Sequence, residues 1–179
     1  MNHQVIIDFW FDETEPAAWW RKDTAFDASI RQRFLPLHRA AARCELSPWR
    51  DQPQGRLAEI IVLDQFSRNL YRDDARAFAC DPLALALAQE TVRAGLDRQL
   101  YPVMRAFVYM PFMHSESALI HQQAVDLFDQ AGMESNLEFE YKHKAIIDRF
   151  GRYPHRNQVL GRESTPEELE FLRQPGSAF

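Results

Sequence analysis

An acidic or hydroxyl residue followed by proline recurs along this chain, and glycine recurs where the helix-forming run behind it gives out. Proline has no N–H to lose in the first turn of a helix and brings a helical φ, while glycine accepts the left-handed conformation that closes the last turn. Asp81-Pro82 opens a run containing Leu83, Leu85, Ala86, Leu87, Ala88 and Val92, and Gly95 closes it. Thr165-Pro166-Glu167-Glu168 is the clearest start. The threonine hydroxyl can accept from the third helical N–H, Glu168 can reach back to the cap, and both acids oppose the positive helix end. This last helix should stop before Pro175-Gly176.

Further helices are predicted over Gln54 to Leu70, Pro111 to Ala131 and Ser135 to Phe150, the last two stopped by Gly132 and Gly151. Val5 to Phe11, Pro16 to Arg21 and Phe26 to Cys44 also read as helical, with Pro36 kinking the third or starting a new helix. Asp97 to Tyr109 makes one or two short helices more. No stretch alternates apolar and polar residues between hairpin turns, so the fold class is all-α. Short connections favour antiparallel neighbours, which points to stacked antiparallel helical hairpins. The consensus of a regular tetratricopeptide array is not readable, so any repeat is degenerate.

Hydrophobic residues make up 46% of the 179 and aromatic ones 12%, enough to build a core in a single domain spanning residues 1–179. The aromatics Phe9, Trp10, Phe11, Trp19 and Trp20 are expected in that core. A formal net charge of -5 disfavours binding to nucleic acid phosphates. No apolar stretch approaches the roughly 20 residues that cross a bilayer, which argues against a membrane partner. Cys44 and Cys80 are too few for a disulfide framework, and the start of the chain lacks an export signal, so a cytoplasmic location is expected. With only six glycines there is no phosphate-cradling loop, and no cofactor signature is present.

Three stretches hold polar residues that helix packing alone does not call for. In the Gln54 to Leu70 helix, an apolar stripe of Leu57, Ile60 and Ile61 runs on at helical spacing into Asp64 and Arg68, with Gln65 and Asn69 repeating the step beside them. Asp64 and Arg68 are either a surface ion pair on a helix emerging into solvent, or a guanidinium oriented in a pocket for a carboxylate or phosphate.

The second stretch is Met113-His114-Ser115-Glu116-Ser117, followed by His121. Two histidines seven apart on one helix stand about 10.5 Å apart along its axis, too far to share an ion, so no metal site is expected. His114 is more plausibly an acid–base or hydrogen-bonding group. The third is the helix exit from His143 through Arg149 to Arg152-Tyr153-Pro154-His155-Arg156-Asn157. Arg149 and Arg152 could be helix C-terminal caps, whereas His155, Arg156 and Asn157 lie beyond the helix and offer donors to an anion. Ser67, Ser115, Ser117 and the two cysteines lack the context of a nucleophile.

Taken together, Leu63-Asp64-Gln65-Phe66-Ser67-Arg68-Asn69-Leu70-Tyr71-Arg72, Met110-Pro111-Phe112-Met113-His114-Ser115-Glu116, Phe150-Gly151-Arg152-Tyr153-Pro154-His155-Arg156-Asn157 and Gly161-Arg162-Glu163-Ser164-Thr165-Pro166-Glu167-Glu168 are similar to an uncharacterised bacterial family, domain of unknown function nine-two-four. The resemblance covers essentially the whole chain. It implies a tetratricopeptide-like right-handed arrangement of helices and carries no established activity. It points to Asp64, Gln65, Arg68, Asn69, His114, Glu116, Arg152, His155, Arg156 and Asn157 as motif positions, to which proximity adds His143 and Arg149.

The expectation is a small-molecule site in which Arg68, Arg152 and Arg156 hold an anionic group while His114 or His155 exchanges a proton. The alternative is an interaction scaffold whose basic and asparagine side chains clamp a peptide or its terminal carboxylate. A structural role for the polar cluster, joining helix ends, is a third possibility. The sequence does not constrain the oligomeric state.

Overall fold

The computed structural model describes residues 2–178. Among them are eight α-helices and no strand: α1 Gln4–Ile7, α2 Thr24–Ala42, α3 Pro53–Leu70, α4 Asp81–Arg93, α5 Pro102–Met113, α6 Ala118–Phe128, α7 Glu134–Phe150 and α8 Pro166–Phe171. A wider-turned π-helical segment, Asp8–Glu13, continues α1, and short 3-10 turns make most of the connections. Each helix from α2 to α7 packs on the next, and α3 also meets α5. None is long and apolar enough to cross a membrane.

α3 is the central element. Every residue from Leu57 to Ser67 is buried, so the helix is enclosed all round rather than along one stripe. This excludes the surface-pair reading of Asp64: the helix does not emerge into solvent there, and Asp64 is 1% exposed. Two further buried polar groups on α3 are matched within the protein. Glu59 takes two bonds of 2.7 Å from Arg50, and Ser67 donates to Leu63 O at 2.5 Å beside His38 Nε2. Gly55 sits where the Ser47–Asp51 turn presses on the first turn of α3, and a Cβ there would stand 1.9 Å from the Trp49 carbonyl oxygen.

Phe9, Trp10, Phe34, Phe66 and Phe107 pack around this helix with ring centroids 4.9 to 6.0 Å apart. Trp19 joins them and donates to Trp10 O, while Trp20 lies on the surface against Phe107. Helix α2 begins two residues earlier than expected because Asp23 caps it through Ala25 N and Phe26 N, and it runs through Pro36 without a restart. Gly151 closes α7 at φ 69°, and the Thr165–Glu168 capping box opens α8 with both of its bonds formed.

One helix departs from expectation. The stretch from Pro111 to Ala131 is not continuous: Pro111 lies in the last turn of α5, and the chain breaks over 114–117 before α6 begins. Ser115-Glu116-Ser117 is poor in helix formers, and Ser117 is extended at φ -120°, ψ 118°. Three carbonyls at or next to the break are taken by side chains from beyond it, two of them distant in sequence. Tyr153 Oη donates to Met113 O at 2.5 Å, Arg156 Nη2 to His114 O at 3.0 Å, and His121 Nε2 to Ser115 O at 2.8 Å.

Candidate functional site

The break at the end of α5 turns His114 toward α3. Its Nδ1 lies 2.8 Å from Asp64 Oδ1, and Gln65 Nε2 donates to Asp64 Oδ2 at 2.7 Å. Arg68 Nη1 reaches the Asp64 carbonyl at 2.8 Å and its carboxylate at 3.2 Å. The rest of the Arg68 fork is held by Asp81, the first residue of α4, through two parallel bonds of 3.0 Å. Asp81 is shared: Arg156 Nη1 approaches it at 3.3 Å. The Arg156 guanidinium lies between two aromatic faces, 4.5 Å from the Phe78 centroid and 4.6 Å from that of Tyr153. It is 6% exposed, and its Nε has no hydrogen-bond partner among the described residues.

The electrostatics follow from these contacts. Burial alone would raise Asp64, but the charge of Arg68, that of His114 once acid protonates the ring, and the bonds from His114 and Gln65 outweigh it and hold the carboxyl far below the usual range. Burial and the charge of Arg68 push His114 below its ordinary value, against the pull of Asp64, so the ring is neutral near pH 7. Burial likewise opposes the charge on Arg68, yet Asp64 and Asp81 raise it. Arg156 differs: burial and the like charge of Arg68 lower it, and Asp81 compensates only in part. Arg68 is thus a well-neutralised cation and Arg156 a poorly neutralised one.

A cleft of about 530 Å³ opens over this cluster. Its polar wall is Asp81, His114, Ser115, Glu116 and Arg156, and its apolar wall includes Phe78, Pro82, Leu85 and Leu160. Glu116, at the rim, takes two bonds from Arg162 and one from Tyr153 N, and the Arg162 guanidinium outweighs burial to keep the carboxyl below its ordinary value. Behind the cleft, fully buried His121 Nδ1 faces Glu140 Oε1 at 2.6 Å. Burial pushes Glu140 up.

Of the residues expected at a site, the structure brings Asp64, Gln65, Arg68, His114 and Arg156 together and places Glu116 on the same cleft. His143 and His155 stand behind it against the Tyr153 ring, with centroids 5.9 and 5.5 Å away. Four others are engaged elsewhere. Asn69 bonds Asp27 on α2, and Arg149 pairs with Glu167 at the surface. Arg152 and Asn157 both bind Glu168 and so tie α8 to the α7 exit. Arg149 and Arg152 therefore serve the acids of α8.

Sequence reasoning missed Asp81, Phe78, Tyr153 and Arg162. Asp81 is helix-starting in type and sits before a proline, so a local role accounted for it; in the structure Cys80 takes the cap position, and the Asp81 carboxylate reaches across to Arg68 and Arg156.

Fold and cluster together define a class: an all-helical protein whose central buried helix supplies an acid and a guanidinium to an imidazole at a helix break, beside a cleft. The chain belongs to the family described as bacterial protein of unknown function, DUF924, whose model matches residues 6–176. It is also similar to the solved structure of a protein of unknown function from Agrobacterium tumefaciens, with 42% identity over 95% of this chain and 96% of that one and a TM-score of 0.91. No curated protein matches it.

Proposed function

We propose that the cleft binds a small molecule with an anionic head, its carboxylate or phosphate set against Arg156 and His114 and its apolar body along Phe78, Leu85 and Leu160. The observation that carries this is the state of Arg156. A guanidinium buried between two rings, with a single 3.3 Å acid contact and an unpartnered Nε, gains from a further negative group. Asp81 can yield Nη1 to a ligand without losing its two bonds to Arg68. The volume falls within the roughly 300–1,000 Å³ usual for ligand clefts.

We further infer the right-handed tetratricopeptide-like winding, which the packing of each helix from α2 to α7 on the next supports. A cytoplasmic setting is consistent with the two free cysteines.

The test is thermal unfolding against a panel of carboxylates and phosphate esters. A ligand at 100 times its dissociation constant should stabilise the protein by about 2.7 kcal/mol. Two variants should abolish the effect: Arg156→Gln, and Ala79→Trp, which fills the cleft from an exposed position and leaves the core intact. A panel with no active compound, or an equal response in Ala79→Trp, would sink the proposal.

A further inference from the structure

The Asp64 carboxylate is ionised and has no hydrogen to give, so the ring atom 2.8 Å away, His114 Nδ1, carries one. A neutral imidazole with its hydrogen on Nδ1 has its lone pair on Nε2. No group among the described residues bonds to that nitrogen, and the ring lines the cleft.

The formal charges of the cluster sum to zero while His114 is neutral, although they are unevenly placed, with Arg156 holding a single 3.3 Å acid contact. Arg68 and Arg156 stand against Asp64 and Asp81, and Glu116 with Arg162 is balanced by itself. A carboxylate settling here would leave one uncompensated negative charge in partly dry surroundings, which is costly. A proton on His114 Nε2 restores the balance. It also converts the only ring atom that would repel the ligand into a donor aimed at it.

We propose that the site takes up a small carboxylic acid as anion plus proton: the carboxylate seats against Arg156, and His114 Nε2 takes one proton from solvent and donates it in a hydrogen bond to the bound carboxylate. This rests on the anion-binding reading above. One carboxylate oxygen accepts from the imidazolium and the other from the Arg156 fork, while Nδ1–H stays on Asp64. The charged and titratable groups around the ring are Asp64 and Arg68 from α3, Asp81 from α4, Arg156 and His155 from the turn after α7, His143 from α7 itself, and Glu116 with Arg162 at the rim. In the empty protein burial and Arg68 keep the ring neutral; the ligand's charge adds to Asp64 and Asp81 and reverses the outcome.

Calorimetric titration of the full chain with sodium hexanoate at pH 7.5, in Tris and in HEPES, reads the number of protons taken up from the difference in heats. The expected result is one proton per hexanoate, with binding weakening about tenfold per pH unit above neutrality. His114→Gln should bind hexanoate at least tenfold more weakly at pH 7.5, and the binding that a higher concentration restores should proceed without uptake. Nitrogen NMR of the ligand-free protein should show the Nδ1–H form of His114. Binding with no uptake, uptake that persists in His114→Gln, an Nε2–H form in the free protein, or binding of phosphate esters but no carboxylate would each overturn this inference while leaving the anion site standing. Absence of binding by every compound would overturn both.

Discussion

Asp81 is the residue on which the cluster turns. It neutralises Arg68 through two bonds and lends its second oxygen to Arg156, so one carboxylate serves two guanidiniums. Removing the charge leaves Arg68 with Asp64 alone, which His114 and Gln65 already engage, and leaves Arg156 with no carboxylate contact. Asp81→Asn is therefore expected to lower stability by about 2 kcal/mol, between the scales of an exposed and a fully buried pair, since Asp81 and Arg68 are both partly buried. Urea unfolding checks this. A loss under 1 kcal/mol would mean that solvent, rather than Asp81, neutralises the two guanidiniums. Arg50 and Glu59 make a second such pair at the base of α3, so a single helix carries two buried acids, each needing its own arginine.

Helix α3 can hold those acids because its surroundings are built to meet them, and that begins at its first turn. The Ser47–Asp51 turn lies so close over Gly55 that a Cβ would overlap the Trp49 carbonyl. Backbone has to move to admit a methyl group there, and that movement also shifts Arg50, the partner of Glu59. Gly55→Ala should cost about 2–4 kcal/mol in chemical denaturation despite alanine's better helix propensity. A neutral or stabilising effect would show that the turn yields freely.

The break between α5 and α6 is the other element that matters for the site. Tyr153, Arg156 and His121 occupy its carbonyls, so the stretch after α7 and the break hold each other in place. At the far end, Arg152, Asn157 and the cap of α8 all converge on Glu168 and hold that carboxyl down to about 2. The arginine-rich exit of α7 thus divides its work: Arg152 and Asn157 secure the C-terminal helix, and Arg156 faces the cleft.

At the scale of the whole molecule, the packing that builds this interior also buries imidazoles in neutral form. Burial brings His143 down to about 3 and His155 to about 4, from an ordinary 6.5. In the unfolded chain both take up protons near pH 6.5, whereas in the folded chain they do so only far below it. Their contribution is therefore complete above about pH 6.5 and is lost as pH falls toward 3 to 4. Glu140, raised by burial, acts in the opposite sense and favours the folded state as the solution becomes acidic. The net expectation is a urea midpoint that already declines between pH 6.5 and 5, with a shallower decline in His143→Leu. A flat midpoint over that range would contradict it.

The sequence by itself determined the fold class and most of the helix ends, because a Pro at a start, a Gly at a stop or a Thr165–Glu168 box acts within a few residues of itself. It also singled out Asp64, Arg68, His114 and Arg156, since charged side chains at apolar helical spacing, or beyond a helix end, stand out without any tertiary knowledge. Which of the polar residues meet was decided by the tertiary structure alone. Asn69, Arg149, Arg152 and Asn157 look equivalent to their neighbours along the chain, but they find Asp27, Glu167 and Glu168 across it. The break at His114 is of the same kind: its carbonyls are satisfied by side chains up to 42 residues away, and a bond between distant segments leaves no periodic trace in either of them.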